Sequence, residues 1–230
     1  MKRSRINELI RIAIEVLNKH KFYLPRFAYW TLEEWLSKGK EIEGIIEQQL
    51  GWDITDYGNG NFSKLGLIHF TIRNGRIQNV DCGGKPYCEK IMIMEDEQRL
   101  PMHRHRQKME DIINRGDGLL SVQVYNTTKD NQLADTPVMI TMDGIEHTVE
   151  AGSIINLEPG QSITLKPEHF HRFWGKEGTS ESFLIGEVST VNDDYKDNVF
   201  LKEIKRFTEI EEDEEPIYLL YDDYKSYLEV

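Results

Sequence analysis

The run Pro101-Met-His-Arg-His-Arg-Gln-Lys-Met-Glu110 decides the fold. Residues i and i+2 of a β-strand point to one face, so His103 and His105 can present two imidazoles to one point inside a barrel. Glu110, five residues on, can return a carboxylate to that point after a bend. A third imidazole from a distant strand would complete a three-nitrogen, one-oxygen metal site with positions open to water or substrate. A second pair stands in Pro167-Glu-His-Phe-His-Arg-Phe173, where His169 and His171 share one strand face.

Outward from these pairs the chain reads as short β runs between turn residues. Leu65 to Arg73 alternates before Asn74-Gly75, a hairpin signal. Glu89 to Met94, Ser121 to Tyr125, Val138 to Met142, Ile154 to Leu157, Ser162 to Leu165 and Phe183 to Val188 follow, with turns at Asp143-Gly144 and Pro159-Gly160. This pattern predicts a closed or sandwiched antiparallel sheet. Before Asp53 the period is helical: Ile6, Leu9, Ile10, Ile12, Ala13, Ile14, Val16 and Leu17 recur near helix spacing, Thr31-Leu-Glu-Glu opens a second helix as a capping box, and Lys40 to Leu50, with Ile42, Ile45, Ile46 and Leu50, suits a short third. The expected division is a helical extension over 1–54 packed on a barrel with a C-terminal tail over 55–230, one structural unit. In the tail the acidic run Glu209 to Glu215 reads as a solvated turn, with Leu219, Leu220 and Tyr221 docking back.

Composition narrows the function. Lys plus Arg number 28 against 40 Asp plus Glu, a net charge of −12, which repels a phosphate backbone and argues against a nucleic-acid partner. No window approaches the roughly 18 apolar residues of a membrane span. Asn7, Glu8, Arg11 and Glu15 interrupt any signal-peptide apolar stretch, so a cytoplasmic protein is expected. Cys82 and Cys88 match neither a zinc nor a redox spacing and read as thiols of a reducing compartment. Trp30, Trp35 and Trp52 read as packing anchors, His20 and His69 as structural, His147 as exposed.

His103-x-His105-x4-Glu110 with Gly116 resembles the first motif of the cupins, and Gly160-Gln-Ser-Ile-Thr-Leu-Lys-Pro167-Glu-His-Phe-His171 resembles the second. The resemblance covers about Gly66 to Ser189 and implies a mainly β fold, a cupin-type antiparallel β-barrel or jelly roll with an N-terminal helical extension. Glu97 replaces a usual glycine, Gly116 comes one place early, and His169 stands where a glycine follows the second motif's proline. Those departures leave His169 and His171 as alternatives; the resemblance favours His171, whose strand face Phe173 continues. The start Met-Lys-Arg-Ser, the helical first fifty residues and the segment Gly186-Glu-Val-Ser-Thr-Val-Asn-Asp-Asp194 are closer still to D-lyxose isomerases. That family implies a divalent metal, Mn²⁺ first with Zn²⁺, Co²⁺ or Fe²⁺ as alternatives, held by His103, His105, Glu110 and His171. It also implies a homodimer and the interconversion of D-lyxose and D-xylulose, with D-mannose and D-fructose as secondary sugars.

The chemistry can be read from the residues as well. Aldose-ketose isomerisation moves a proton between C1 and C2 through a cis-enediol and needs a base, an acid and stabilisation of oxyanion charge. Lys108, between His105 and Glu110, is placed to donate to a substrate oxygen. Glu187 is a carboxylate in the apolar strand Phe183 to Val188, where low dielectric should raise its pKa toward that of a useful base. Phe173 and Trp174 are candidates to line a sugar pocket, with core packing the role of at least one; Asp193 and Asp194 are candidates for sugar hydroxyls. Three His and one Glu also suit a non-haem iron dioxygenase, and a non-catalytic sugar-binding cupin is the third reading.

Overall fold

The computed structural model describes every residue except 77, 79–82 and 229–230. In chain order it contains α1 (Arg3–Lys19), α2 (Leu32–Leu36), α3 (Glu43–Glu47), β1 (Gly51–Thr55), β2 (Leu67–Arg73), β3 (Tyr87–Glu95), β4 (His103–His105), β5 (Glu110–Asn114), β6 (Leu120–Asn126), β7 (Val138–Met142), β8 (Ile145–Val149), β9 (Ile154–Leu157), β10 (Ser162–Leu165), β11 (His169–Gly175), β12 (Ser182–Thr190), β13 (Asn198–Phe200) and α4 (Tyr224–Tyr227). The strands form two antiparallel sheets, of order β1-β2-β3-β12-β5-β10-β7-β8 and β13-β4-β11-β6-β9. Their inner faces meet over a core that includes Met92, Met94, Ile112, Val122, Val124, Ile163, Phe173, Phe183 and Ile185. This is the mainly β jelly-roll barrel with a helical N-terminal part that the motifs implied.

The outer face of the large sheet carries a second apolar layer. Ile6, Leu9, Ile10, Ala13, Val16 and Leu17 form the buried stripe of α1, and they cluster with Trp52, Ile68, Phe70, Ile91, Ile93 and Leu184 of β1, β2, β3 and β12. The helix closes the half of the sheet that would otherwise expose this surface. The Thr31 capping box is formed: Glu34 N–H donates to Thr31 Oγ1 and Thr31 N–H to Glu34 Oε2. Trp35 and Trp52 are buried packing anchors, the latter donating its Nε1–H to the Ala28 carbonyl at 2.8 Å, and Trp30 packs edge-on against Trp35.

Two local expectations change and a third holds. Strand structure starts at Gly51 rather than near residue 55, because Gly51–Thr55 pairs residue for residue with β2 as the edge of the large sheet. Asn74-Gly75 makes no tight hairpin, since β3 begins only at Tyr87. Instead the Asn74 amide bridges the carbonyls of Gln48 and Asn192 and accepts from Asn192 N–H, and Gly75 is required because a Cβ there would sit 1.9 Å from the Lys85 carbonyl oxygen. Asp143-Gly144 does form the two-residue turn between β7 and β8, with φ of 46° and 85°.

The acidic residues of the run 209–215 are exposed, as expected, but they also hold the start of α1. Glu212 and Asp223 both clasp the fully buried Arg3 guanidinium at 2.7–2.9 Å, Asp213 accepts from Ser4, and Glu214 accepts from Asn7. The run ties the start of α1 to the tail, whose Leu219, Leu220 and Tyr221 are buried as expected. Cys88 is a buried free thiol pushed up to about 12 by burial; Cys82 lies outside the described residues. No helix of the described residues is long and apolar enough to cross a membrane.

Candidate active site

The barrel interior collects the chemistry-bearing side chains by strand alternation. On β4, His103 and His105 are buried and Arg104 between them points outward. The strand lies beside β11 with His171 directly opposite His103, and β5 opens on Glu110, buried and opposite Leu165. The four donor atoms of His103, His105, Glu110 and His171 lie within 4.8 Å of one another. His171 Nε2 is 2.9 Å and His105 Nε2 3.3 Å from Glu110 Oε1. His169, the alternative to His171, turns its Nδ1 to accept from Lys166 N–H and stands outside the cluster.

The donor set fits a metal. His103 Nδ1–H donates to the Pro101 carbonyl at 2.9 Å, His171 Nδ1–H to the His169 carbonyl at 3.1 Å, and His105 Nδ1 lies 3.2 Å from Asp197 Oδ2. Occupying Nδ1 of His103 and His171 aims their Nε2 atoms inward, the arrangement that orients histidine ligands. His105 Nε2, His171 Nε2 and Glu110 Oε1 are buried with no hydrogen-bond partner, a costly arrangement that a divalent cation would resolve. Burial and the neighbouring rings of His171 and His105 hold His103 well below the ordinary imidazole range, in the neutral form a metal needs. Burial opposes the Glu110 carboxylate, but Lys108 and His105 outweigh it and keep Glu110 ionised.

Next to this cluster sits a buried triad of charges. Lys108 Nζ lies 2.7 Å from Glu110 Oε2 and 2.8 Å from Glu187 Oε1, and Ser189 Oγ donates to the same Glu187 oxygen at 3.1 Å. Glu187 Oε2 accepts from none of the described residues. The loop carrying Lys108 is fixed by Asp197, whose carboxylate accepts from the backbone N–H groups of Arg106, Gln107 and Lys108. The expected rise in the Glu187 pKa is overturned: burial does raise it, but Lys108 and then Lys90, its direct cross-strand neighbour, bring it below the ordinary value. Glu187 is therefore an ionised carboxylate at neutral pH.

His103, His105, Lys108, Glu110 and Glu187 line a cavity that also takes in Tyr57, Leu67, His69, Lys90, Met92, Leu100, Phe173, Asp194, Asn198, Phe200 and Arg206. Phe173 faces it, whereas Trp174 is on the opposite face of β11, sandwiched by Arg99 and Arg172. Asp194 is buried in the wall and takes Lys90 Nζ at 3.0 and 3.2 Å; Asp193 turns away, accepting from Tyr195 N–H. Lys90 and Arg206 line the cavity without having been singled out in the sequence, His69 lines it although it reads as structural in the sequence, and Asp197, also not singled out, supports the Lys108 loop and His105. Lys90 carried the same signal as Glu187, a charge inside the apolar strand β3, and His69 likewise interrupts an apolar run. Arg206 and Asp197 come from irregular segments and carried none.

A sequence model described as D-lyxose isomerase matches residues 1–224. The D-lyxose/D-mannose isomerase of Serratia proteamaculans is 42% identical over 233 residues, covering 99% of this chain and 100% of the relative. That of Escherichia coli O157:H7 is 40% identical over 228 residues, covering 99% and 100%. Among solved structures, L-ribose isomerase of Cellulomonas parahominis with L-ribose superposes with a TM-score of 0.59 at 14% identity, over 92% of this chain and 98% of the other. L-ribose isomerase of Acinetobacter sp. DL28 with L-ribose gives 0.57 at 13%, over 88% and 93%; at such identities the likeness concerns the fold. Matched along nearly its whole length at both levels, the chain belongs to the D-lyxose isomerase family.

Proposed function

We propose that the protein is a metal-dependent aldose-ketose isomerase that interconverts D-lyxose and D-xylulose and also accepts D-mannose and D-fructose. The observation that carries this reading is the Lys108 ammonium held between Glu110 and Glu187 beside the His₃Glu cluster. A divalent ion on His103, His105, Glu110 and His171, Mn²⁺ by preference for mixed nitrogen and oxygen donors, would supply Lewis acidity toward the sugar's adjacent oxygens.

The remaining work falls to the chain. Glu187, through Oε2, takes the C2 proton of the aldose; the released electron pair forms C1=C2 while Lys108 gives a proton to O1, producing the cis-enediol. Return of the O2 proton to Lys108 forms the C2 carbonyl, and Glu187 delivers its proton to C1. Asp197 holds Lys108 in place through the loop backbone, and Ser189 fixes the Glu187 carboxylate. Phe173, Phe200, Leu67 and Leu100 exclude water from the reacting carbons, and Asp194 and Lys90 offer polar atoms to sugar hydroxyls.

We take residues 1–54 and 55–230 as one structural unit and the working assembly as a cytoplasmic homodimer, supported by the buried free thiol of Cys88 and by sheet edges at β8 and β9 that a partner could cover. Anaerobic incubation with Mn²⁺ and D-lyxose should give D-xylulose, with deuterium at C1 when run in D₂O. Absence of conversion under these conditions, with oxygen uptake on admitting air, would replace the isomerase by the dioxygenase reading. Sedimentation of a fully active monomer at micromolar concentration would remove the dimer.

A further inference from the structure

At the end of the cavity remote from the histidine cluster, the inner face of the large sheet carries a second polar group whose hydrogen-bonding capacity is unused. His69 lies on β2, 1% exposed, with Nδ1 3.7 Å from Asp53 Oδ2 and Nε2 3.9 Å from Asp194 Oδ2. Both separations exceed a hydrogen bond, and neither ring nitrogen has a partner among the described residues. Arg206 shares the two carboxylates, with Nη2 at 2.7 Å from Asp53 Oδ2 and 3.5 Å from Asp194 Oδ1, while its Nη1 is buried and unpartnered. Native proteins rarely leave such groups unpaired without a ligand or ordered water to receive them.

The position of these groups follows from the sheet. β2 is separated from β12, which carries Glu187, by β3 alone, so two strand spacings, roughly 10 Å, separate the two backbones. An open-chain aldose with C1 and C2 at Lys108 and Glu187 and its carbon chain laid across Lys90 and Met92 would bring its last hydroxyls to His69. Burial, and then the Lys90 charge, push the His69 pKa well below the ordinary value. The ring is neutral, one nitrogen donating and the other accepting, as a hydroxyl requires. Its neighbours Ile68 and Phe70 are locked on the opposite face under α1, so the imidazole is presented on a rigid strand.

We propose that His69, together with Arg206 Nη1, is the specificity-determining contact for the hydroxyls of the aldose remote from the reacting carbons. This rests on the isomerase reading and assigns the cavity a polarity: chemistry beneath β12 and β5, recognition beneath β1 and β2. The described residues supply no acceptor or donor within hydrogen-bond reach of the His69 nitrogens, and a molecule bearing hydroxyls along a short chain satisfies both.

Two arms test it. In turnover, the wild type should prefer D-lyxose over 5-deoxy-D-lyxose in kcat/KM by roughly tenfold or more, as loss of one buried hydrogen bond predicts. His69→Leu should bring the ratio near unity, mainly through KM, with metal content unchanged, and His69→Gln should restore part of the preference. His69→Met serves in its place if the leucine variant does not fold. A ratio unchanged in the apolar variants overturns the proposal and leaves the nitrogens to water only. In binding, calorimetry on the Mn²⁺-loaded wild type should show the alditol of D-lyxose held roughly tenfold tighter than its 5-deoxy analogue. Equal affinity, or no binding of either, overturns the proposal whatever the turnover. Tighter binding of the parent without any isomerisation would support it while the catalytic reading fails.

Discussion

The two faces of the large sheet do different work with the same strands. On β2, Ile68 and Phe70 point outward and are sealed under α1, and His69 between them points into the cavity. The same holds on β3, with Ile91 and Ile93 outside and Lys90 and Met92 inside, and on β12, with Leu184 outside and Glu187 inside. On β2 and β3 a period of two thus sets a sealed apolar side chain next to each polar site residue, Ile68 and Phe70 beside His69 and Ile91 beside Lys90. The face under α1 carries packing alone, whereas the inner face carries both core and chemistry, so substitutions one residue apart on β2 and β3 should separate into losses of folding and losses of turnover.

The largest effect is expected inside, at the metal ligands. His103→Ala and His171→Ala should lose the divalent ion and fall to background turnover, while His169→Ala keeps its metal; elemental analysis on purified variants reads this, and full occupancy in the first two would undo the ligand assignment. Next is Glu187→Gln, which keeps shape and hydrogen bonding and should lower turnover by about 10²- to 10⁴-fold with metal and Tm retained. Near-normal rates would move the base to another carboxylate. On the outer face, Phe70→Ala removes a fully buried ring packed 5.0 Å from Trp52 and 5.3 Å from Phe27. It should cost about 3 to 5 kcal/mol of stability, read by denaturant unfolding, with kcat per folded molecule preserved; a fall in kcat as large as that of Glu187→Gln would break the division between faces. The smallest effect lies away from both: Thr31→Ala deletes the capping box of α2 and should cost about 1 kcal/mol with no change in turnover.

Much of this was legible before any coordinates. The shared face of His103 and His105 follows from strand alternation, a local property, and the turn residues bounded β7, β9 and β10, whereas β8 was not expected as a strand. The capping box at Thr31 and the apolar stripe of α1 are equally local and formed as read. The contacts that the exposed acidic run makes with α1 were not legible, because its partners, Arg3, Ser4 and Asn7, are more than two hundred residues away. The sign of the Glu187 shift was misread for a related reason: burial could be inferred from its apolar strand, but the ammonium groups of Lys108 and Lys90 that outweigh burial come from two other elements.

By itself, then, the sequence determined the periodicities, the turn at Asp143-Gly144, the helix cap and the shared face of His103 and His105, all settled by sterics and hydrogen bonding within a few residues. Only the tertiary structure decided which charges meet in the dry interior. Coulombic pairing there depends on distances between strands distant in sequence, and it selected His171 over His169, paired Lys90 with Asp194 and set Arg206 beside His69.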